Sequence, residues 1–303
     1  MHITDGRYVG NGEKNLYVRE LGKGKIPIVI EPDWGGLSID WLNIQEQLAK
    51  YTKVITYDRA GYGESPVSKN PRTSMYIAKE LYIMLQNSGN KGPYLFIAHG
   101  AGGLYIQHFL KMFASYVAGI ILVDSITINE KEFSELNLPK YNEIASHQVK
   151  LENFKKYAGL TQNEIEKYIT PFILKMYSNY PDNLKKAYLT YLTDLNYYKT
   201  VYNEMKCLSD SIEQFSQISL FTNIPISILI RDFDVMIENA KKIGIPYEEQ
   251  KYVEEKWLKN SYDLENLSTD TELSIIKGAS HNIHFDNPNA IIEKTLEILK
   301  KCE

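Results

Sequence analysis

Residues 94–107 read Tyr-Leu-Phe-Ile-Ala-His-Gly-Ala-Gly-Gly-Leu-Tyr-Ile-Gln, and this stretch decides the fold. The apolar run at 94–97 is short, which is typical of a buried strand. Small residues, interrupted by His99, follow at 98–103, and apolar residues from Leu104 onward predict a helix. A chain that turns so sharply from strand to helix lifts the residue at the tip of the turn above the edge of a sheet. That residue is Gly100, which has no side chain to react.

The rest of the chain alternates short apolar strands with amphipathic helices, which favours a parallel sheet covered on both faces. A hairpin is expected over 6–21. Further strands are predicted at 27–31, 53–57, 119–124, 226–230 and 272–276.

Strand signals are missing between residues 129 and 222, where helical patterns dominate. One predicted helix, 163–177, should break at Pro171, because proline cannot donate a helical hydrogen bond. We interpret this segment as a helical lid inserted into the sheet domain. Six of its apolar side chains could face a pocket: Tyr197, Tyr198, Tyr202, Met205, Phe215 and Phe221.

Composition excludes several classes of protein. The 303 residues are 44% hydrophobic and 24% charged with a net charge of −4, which is ordinary for a globular domain and argues against nucleic acid as a partner. The two cysteines, Cys207 and Cys302, suggest neither a disulfide framework nor a metal cluster, and we expect no cofactor. No apolar run is long enough to span a membrane. The first residues lack a signal-peptide pattern, so we expect a cytoplasmic protein. Oligomeric state is not predicted.

The turn at Gly100 resembles the nucleophile elbow G-x-S-x-G, here Ala98-His99-Gly100-Ala101-Gly102. Two further stretches resemble motifs of the same proteins. Residues 57–65, Y-D-R-A-G-Y-G-E-S, resemble a glycine-rich turn, and residues 278–288 resemble a G-x-x-H…D-x-P segment. Together these motifs resemble the α/β-hydrolase fold superfamily, in particular its lidded esterase, haloalkane dehalogenase and epoxide hydrolase branch. The resemblance implies a mostly parallel, eight-stranded sheet with helices on both faces. It implies a core of 1–128 and 223–303 and a lid of 129–222.

The resemblance also assigns roles by position. Gly100 stands at the nucleophile position, and His281, after the last strand, would be the general base. The acid that orients the imidazole has two candidates. Asp234 follows the strand after the lid and is preferred, whereas Asp124 ends the strand after the elbow and is the alternative.

An oxyanion hole would be formed by the backbone N–H groups of Trp34 and Ala101. Relatives usually have glycine before the first of these, and this chain has Asp33. A carboxylate there would oppose a developing oxyanion. Alternatively, Asp33 points away from the site and caps the helix near residue 39.

Three functions follow from these residues. The first is a hydrolase-fold protein that is impaired or inactive in acyl transfer and binds a small apolar ligand under its lid. The second is a serine ester or amide hydrolase represented by a Ser→Gly variant at residue 100. The third is non-covalent chemistry in which His281, paired with Asp234 or Asp124, activates a water in the space that the serine side chain would fill or abstracts a substrate proton. Whether the chain is an enzyme is left open.

Overall fold

The computed structural model describes residues 6–10, 15–216 and 222–302, except for the side chains of Lys131 and Ser134. Eight strands form one sheet. They are β1 (Arg7–Val9), β2 (Leu16–Leu21), β3 (Ile28–Glu31), β4 (Val54–Asp58), β5 (Tyr94–His99), β6 (Val117–Val123), β7 (Thr222–Ile230) and β8 (Ser268–Ile275). Their order across the sheet is β1-β2-β4-β3-β5-β6-β7-β8.

The sheet is mostly parallel, as the sequence predicts. Strands β3 to β8 pair in parallel, while β1 and β2 form an antiparallel edge. Strand β5 lies in the middle, between β3 and β6. All its residues from 94 to 98 are fully buried. Both faces of this strand are therefore covered, which explains why its sequence is continuously apolar rather than alternating.

Thirteen α-helices occur in the described residues. They are α1 (Leu42–Leu48), α2 (Ser74–Asn87), α3 (Ala101–Phe113), α4 (Pro139–Ile144), α5 (His147–Ala158), α6 (Gln162–Met176), α7 (Asp182–Leu192), α8 (Leu195–Lys206), α9 (Leu208–Ser216), α10 (Phe233–Lys242), α11 (Tyr247–Tyr262), α12 (Ile283–Asp286) and α13 (Pro288–Cys302).

The two faces of the sheet carry separate apolar cores. Phe96 and Ala98 point to the face where Leu81 of α2 and Phe109 of α3 pack. Leu95 and Ile97 point to the opposite face, where side chains of α1 and α13 pack. The period of two along a strand produces this division. Packing on both faces holds the carboxyl end of β5 in place at the centre of the sheet, at the edge where the parallel strands end.

Between β6 and β7, the described residues contain six α-helices and no strand. The helix α6 runs through Pro171, so the predicted break is wrong. Ile165 and Ile173 are buried on either side of the proline, and we attribute the continuity to this packing. That this segment is a lid with limits at 129 and 222 remains a prediction. Phe221 lies outside the described residues.

No helix in the described part of the chain is long and apolar enough to cross a membrane.

Candidate active site

The turn between β5 and α3 places Gly100 at its tip, as the sequence predicts. Gly100 has φ 53° and ψ −121°, a backbone conformation that side chains adopt only with strain. Its N–H donates to the Val123 carbonyl at 3.1 Å, and its carbonyl accepts from the Ile126 N–H at 3.1 Å. These bonds tie the elbow to the end of the neighbouring strand β6.

The carboxylate of Asp33 lies directly over this tip. Asp33 follows Pro32 in the loop after β3, the strand next to β5. Its Oδ1 accepts a hydrogen bond from the Ala101 backbone N–H at 2.6 Å. Its Oδ2 lies 2.9 Å from Nε2 of His281. The alternative in which Asp33 points away to cap a helix is therefore wrong, because the elbow amide and the imidazole hold its carboxylate.

The space beside Gly100 is filled rather than open. A Cβ atom built on Gly100 would lie 2.2 Å from Cγ and 2.3 Å from Oδ1 of Asp33. Real Cβ atoms do not approach other heavy atoms so closely. The expected room for a water beside His281 is occupied by the Asp33 carboxyl group.

His281 lies in the loop after β8 and bridges two carboxylates. Its Nδ1 is 2.6 Å from Oδ2 of Asp124, and its Nε2 faces Asp33. Asp124 follows β6, the direct neighbour of β5, and takes a left-handed φ of 41°. Short aspartate side chains tolerate that conformation better than most residues.

The prediction that prefers Asp234 as the partner of His281 is wrong, because the partner is Asp124. Asp234 lies in the first turn of α10, where its backbone N–H donates to Oδ1 of Asp232 at 3.2 Å. Asp232 caps that helix, so the chain enters α10 at once after β7. Asp124 instead ends the strand adjacent to the elbow, and it makes the contact.

Two further side chains, which the sequence analysis missed, hold Asp124. The Arg231 guanidinium donates from Nη1 to Oδ2 at 3.3 Å, and the Trp257 indole donates from Nε1 to Oδ1 at 3.0 Å. Arg231 follows β7, the strand beside β6, and this adjacency could have pointed to the contact. Burial alone would raise the pKa of Asp124, but the charge of Arg231 and the bond to His281 lower it.

The three central groups form a charged chain. Burial would raise the pKa of Asp33, but the hydrogen bond and charge of His281 lower it well below its usual range. Burial would lower the pKa of His281, but Asp124 and Asp33 raise it to about 9. The imidazole is therefore protonated at neutral pH between two carboxylates.

Asp33, His99 and His281 offer three possible metal-ligand atoms within 4.8 Å of one another. Hydrogen bonds already use these side chains. Nε2 of His281 pairs with Asp33, and Nε2 of His99 donates to the His281 carbonyl at 2.9 Å. A cation would have to displace the proton between Asp33 and His281. Burial also lowers the pKa of His99 to about 4, so that ring is neutral.

Trp34 lies next to Asp33 and faces the lid. Its indole Nε1 donates to the Tyr105 hydroxyl at 3.0 Å, and its ring centroid is 5.5 Å from that of His147 in α5. Of the two predicted oxyanion-hole amides, the Ala101 N–H already bonds Asp33. The role of Trp34 remains a prediction.

An apolar cleft of about 310 Å³, which we call the lid cleft, opens between the core loop at Gly35 and the lid. Tyr197 and Tyr198 line it, as expected for part of the lid set, and the Tyr197 hydroxyl donates to the Gly35 carbonyl at 3.0 Å. Met205 and Phe215 are instead buried in apolar clusters. Gly35, which lines the lid cleft, directly follows Trp34 in the chain.

Comparison with known proteins agrees with this fold. The model of the alpha/beta hydrolase fold family matches residues 26–288, so the chain belongs to that family. An AB hydrolase superfamily protein of Gibberella zeae is 33% identical over 100 residues, covering 32% of this chain and 30% of that protein. The chain covers 18% to 37% of the length of the first three curated relatives it matches.

Solved structures show the same fold. The epoxide hydrolase CorEH without ligand superposes with a TM-score of 0.73 at 14% identity, over 98% of this chain and 99% of that one. A serine hydrolase involved in carbazole degradation, the CarC enzyme, superposes with a TM-score of 0.62 at 19% identity, over 97% and 98% of the two chains. At such identities the likeness concerns the fold alone.

Proposed function

We propose that this α/β-hydrolase family member does not perform acyl transfer through residue 100 and that it binds a small, largely apolar molecule in the lid cleft. One observation carries the first part. The Asp33 carboxylate occupies the volume beside Gly100 and takes both the Ala101 N–H and His281 Nε2. The apolar lining of the lid cleft supports the second part.

The same observation speaks against an engineered Ser→Gly change at residue 100. A serine there needs space for Cβ and Oγ, and the Asp33 carboxyl group fills that space. Either Asp33 would have to move or the serine could not be accommodated. The Ala101 N–H would also have to leave a carboxylate in order to stabilise an acyl oxyanion. Two residues, rather than one, thus separate this site from serine chemistry.

The test restores the missing side chains one at a time. We expect Gly100→Ser alone to give no turnover of p-nitrophenyl acetate or butyrate above the parent protein. We expect Gly100→Ser with Asp33→Gly to give turnover that His281→Ala removes, because the double change frees the amide, the imidazole and the space. Robust turnover by the single variant would contradict the proposal.

A second candidate function follows from the two contacts of Asp33. A carboxylate held between an elbow amide and an imidazole is placed as a carboxylate nucleophile would be. Asp33 Oδ2 would attack an electrophilic carbon, forming a C–O bond while the carbon–leaving-group bond breaks. An epoxide is such an electrophile, and one structural relative is an epoxide hydrolase. The opened oxygen would take up a proton from the protonated His281.

The second half of that reaction uses the neutral imidazole. Water would attack Cγ of the Asp33 ester, His281 would accept the water proton, and the Ala101 N–H would stabilise the oxyanion on Oδ1. Collapse would release the diol and return the carboxylate. Esterification of Asp33 removes one of the two charges that raise the pKa of His281, which favours the neutral imidazole at this stage. Simple water activation lacks this support, because Nε2 of the free protein already bonds Asp33.

Isotope labelling tests the carboxylate mechanism. A single turnover of styrene oxide in H₂¹⁸O, followed by peptide mass spectrometry, should place one ¹⁸O atom in the peptide that contains Asp33. Asp232 provides a control carboxylate, since it makes hydrogen bonds at the start of α10 and none to His281 in the described structure. Diol formation with the label in the product only would contradict a nucleophilic Asp33.

A further inference from the structure

A second cavity, of about 320 Å³, shares two lining side chains with the candidate active site. The segment after β6, the lid helices α4 and α5, and the pair α10–α11 enclose it, and we call it the Glu130 cavity. Arg231 and Trp257 line it and also bond Asp124. The Glu130 cavity therefore lies one side chain away from the partner of His281.

Two opposite charges line this cavity. Glu130, which is half-buried, and Lys150, which is exposed, both line it, and neither side chain makes a hydrogen bond or ion pair with the described residues. Arg231 differs, because its guanidinium is satisfied by Glu254 at 2.8 Å and 3.0 Å and by Asp124. The lining thus offers one carboxylate and one ammonium to a ligand.

The remaining walls are mainly apolar. They are formed by Phe133, Tyr141, Met236, Ile243, Ile245, Val253 and Trp257, among others. Such a lining favours an aliphatic or aromatic body, and the few polar groups fix its orientation. A volume of about 320 Å³ limits the ligand to a small molecule.

We propose that the Glu130 cavity binds a small zwitterion with an apolar body, in the manner of an apolar α-amino acid. Lys150 would pair with the ligand carboxylate, Glu130 with its ammonium group, and the apolar walls would enclose its side chain. This inference does not depend on the chemistry proposed for Gly100 and Asp33. A ligand with a single charge would satisfy only one of these two groups, so it should bind less tightly.

The pKa directions of the two groups agree with this assignment. Burial raises the pKa of Glu130 to about 7, opposed by the charge of Lys150. Lys150 is an exposed residue, but the protein atoms around its ammonium group lower its pKa, opposed by the charge of Glu130. An oppositely charged ligand group would favour the charged form of each. The charges of Asp33 and His281 also act on Glu130, so the cavity lies within electrostatic reach of the candidate active site.

Three ligands of one shape test the proposal by isothermal titration calorimetry on the full chain at pH 8. They are L-phenylalanine, which carries both charges, 3-phenylpropanoate, which carries only the anion, and 2-phenylethylamine, which carries only the cation. We expect L-phenylalanine to bind about tenfold tighter than either, since each charge-assisted hydrogen bond contributes on this order.

Variants assign the two charges. Glu130→Gln should remove the advantage of L-phenylalanine over 3-phenylpropanoate, and Lys150→Met should remove its advantage over 2-phenylethylamine. Glu143→Gln and Lys140→Met, which alter an exposed ion pair on the nearby α4, should change neither. Equal binding by a singly charged ligand, no measurable binding of L-phenylalanine at millimolar concentration, or unchanged preference in the cavity variants would overturn the proposal. Turnover by the Gly100→Ser proteins, with or without Asp33→Gly, is a separate readout. Failure of the proposal for the Glu130 cavity would not change the turnover expected of them.

Discussion

At the scale of single residues, one aspartate changes what the elbow can do. Gly100 has no side chain to fill the volume beside it, and the Asp33 carboxylate from the adjacent loop occupies that volume. The Asp33 side chain also places a second negative charge against His281, opposite that of Asp124. The protonated imidazole between two carboxylates is therefore a consequence of residues 33 and 100 together.

This arrangement predicts a measurable pKa for His281. In the parent protein, NMR titration of the imidazole should give a pKa of about 9. Asp33→Asn should lower it, because the substitution removes one of the two charges that stabilise the imidazolium. Because the folded pKa lies above the ordinary value of about 6.5, His281 stabilises the fold most at lower pH. That contribution should be lost as pH rises through about 9, and less should be lost in Asp33→Asn.

Asp234→Asn provides the matched control for this titration. It removes a carboxylate from the first turn of α10, where no contact with His281 exists among the described residues. We expect the pKa of His281 to remain near that of the parent. A large decrease in this variant, with none in Asp33→Asn, would contradict the assignment of partners.

Only part of the candidate active site could be predicted from the sequence. The motif places Gly100 on the turn and His281 after the last strand, and the structure has both there. The direction of the Asp33 side chain could not be predicted, because it depends on a volume that exists only once Gly100 packs against the loop after β3. The choice of Asp124 over Asp234 depends on how soon α10 begins after β7, which the sequence does not indicate.

At the scale of elements, the helical segment between β6 and β7 is attached to the sheet domain through a buried charge. Glu204 of α8 accepts hydrogen bonds from Arg59 at 3.1 Å, from Arg72 at 3.3 Å and from the Tyr62 hydroxyl at 2.9 Å. Arg59 also bonds Glu31 at the end of β3 and the carbonyl of Asp33. Arg59 thus fixes the loop that carries Asp33, and Glu204 couples that loop to the lid.

Packing in the folded chain can override a local sequence signal for secondary structure. The continuous apolar runs correctly predict buried strands, since both faces of the sheet are covered. Pro171 correctly signals a missing hydrogen bond, but Ile165 and Ile173 are buried on either side and the helix continues. Long-range packing of this kind is not visible in a single helical pattern.

At the scale of the whole molecule, sheet order explains why the site forms where it does. The strands β3, β5 and β6 lie side by side, so the residues that follow them meet at one edge. Asp33, Gly100 and Asp124 come from these three positions. The fold could be predicted from the alternation of strands and helices and from the motifs. The contacts of Asp33 with Ala101 and His281 could be seen only in the side-chain arrangement.

The most direct test is a double-mutant cycle of Gly100→Ala and Asp33→Ala, with the free energy of unfolding measured by urea denaturation. Gly100→Ala should destabilise the parent both through its φ of 53° and through the collision with Asp33. We expect the cost to be smaller in Asp33→Ala, with a coupling on the order of 1–3 kcal/mol, as for residues in contact. An equal cost of Gly100→Ala in both backgrounds would contradict a carboxylate that occupies the place of the nucleophile.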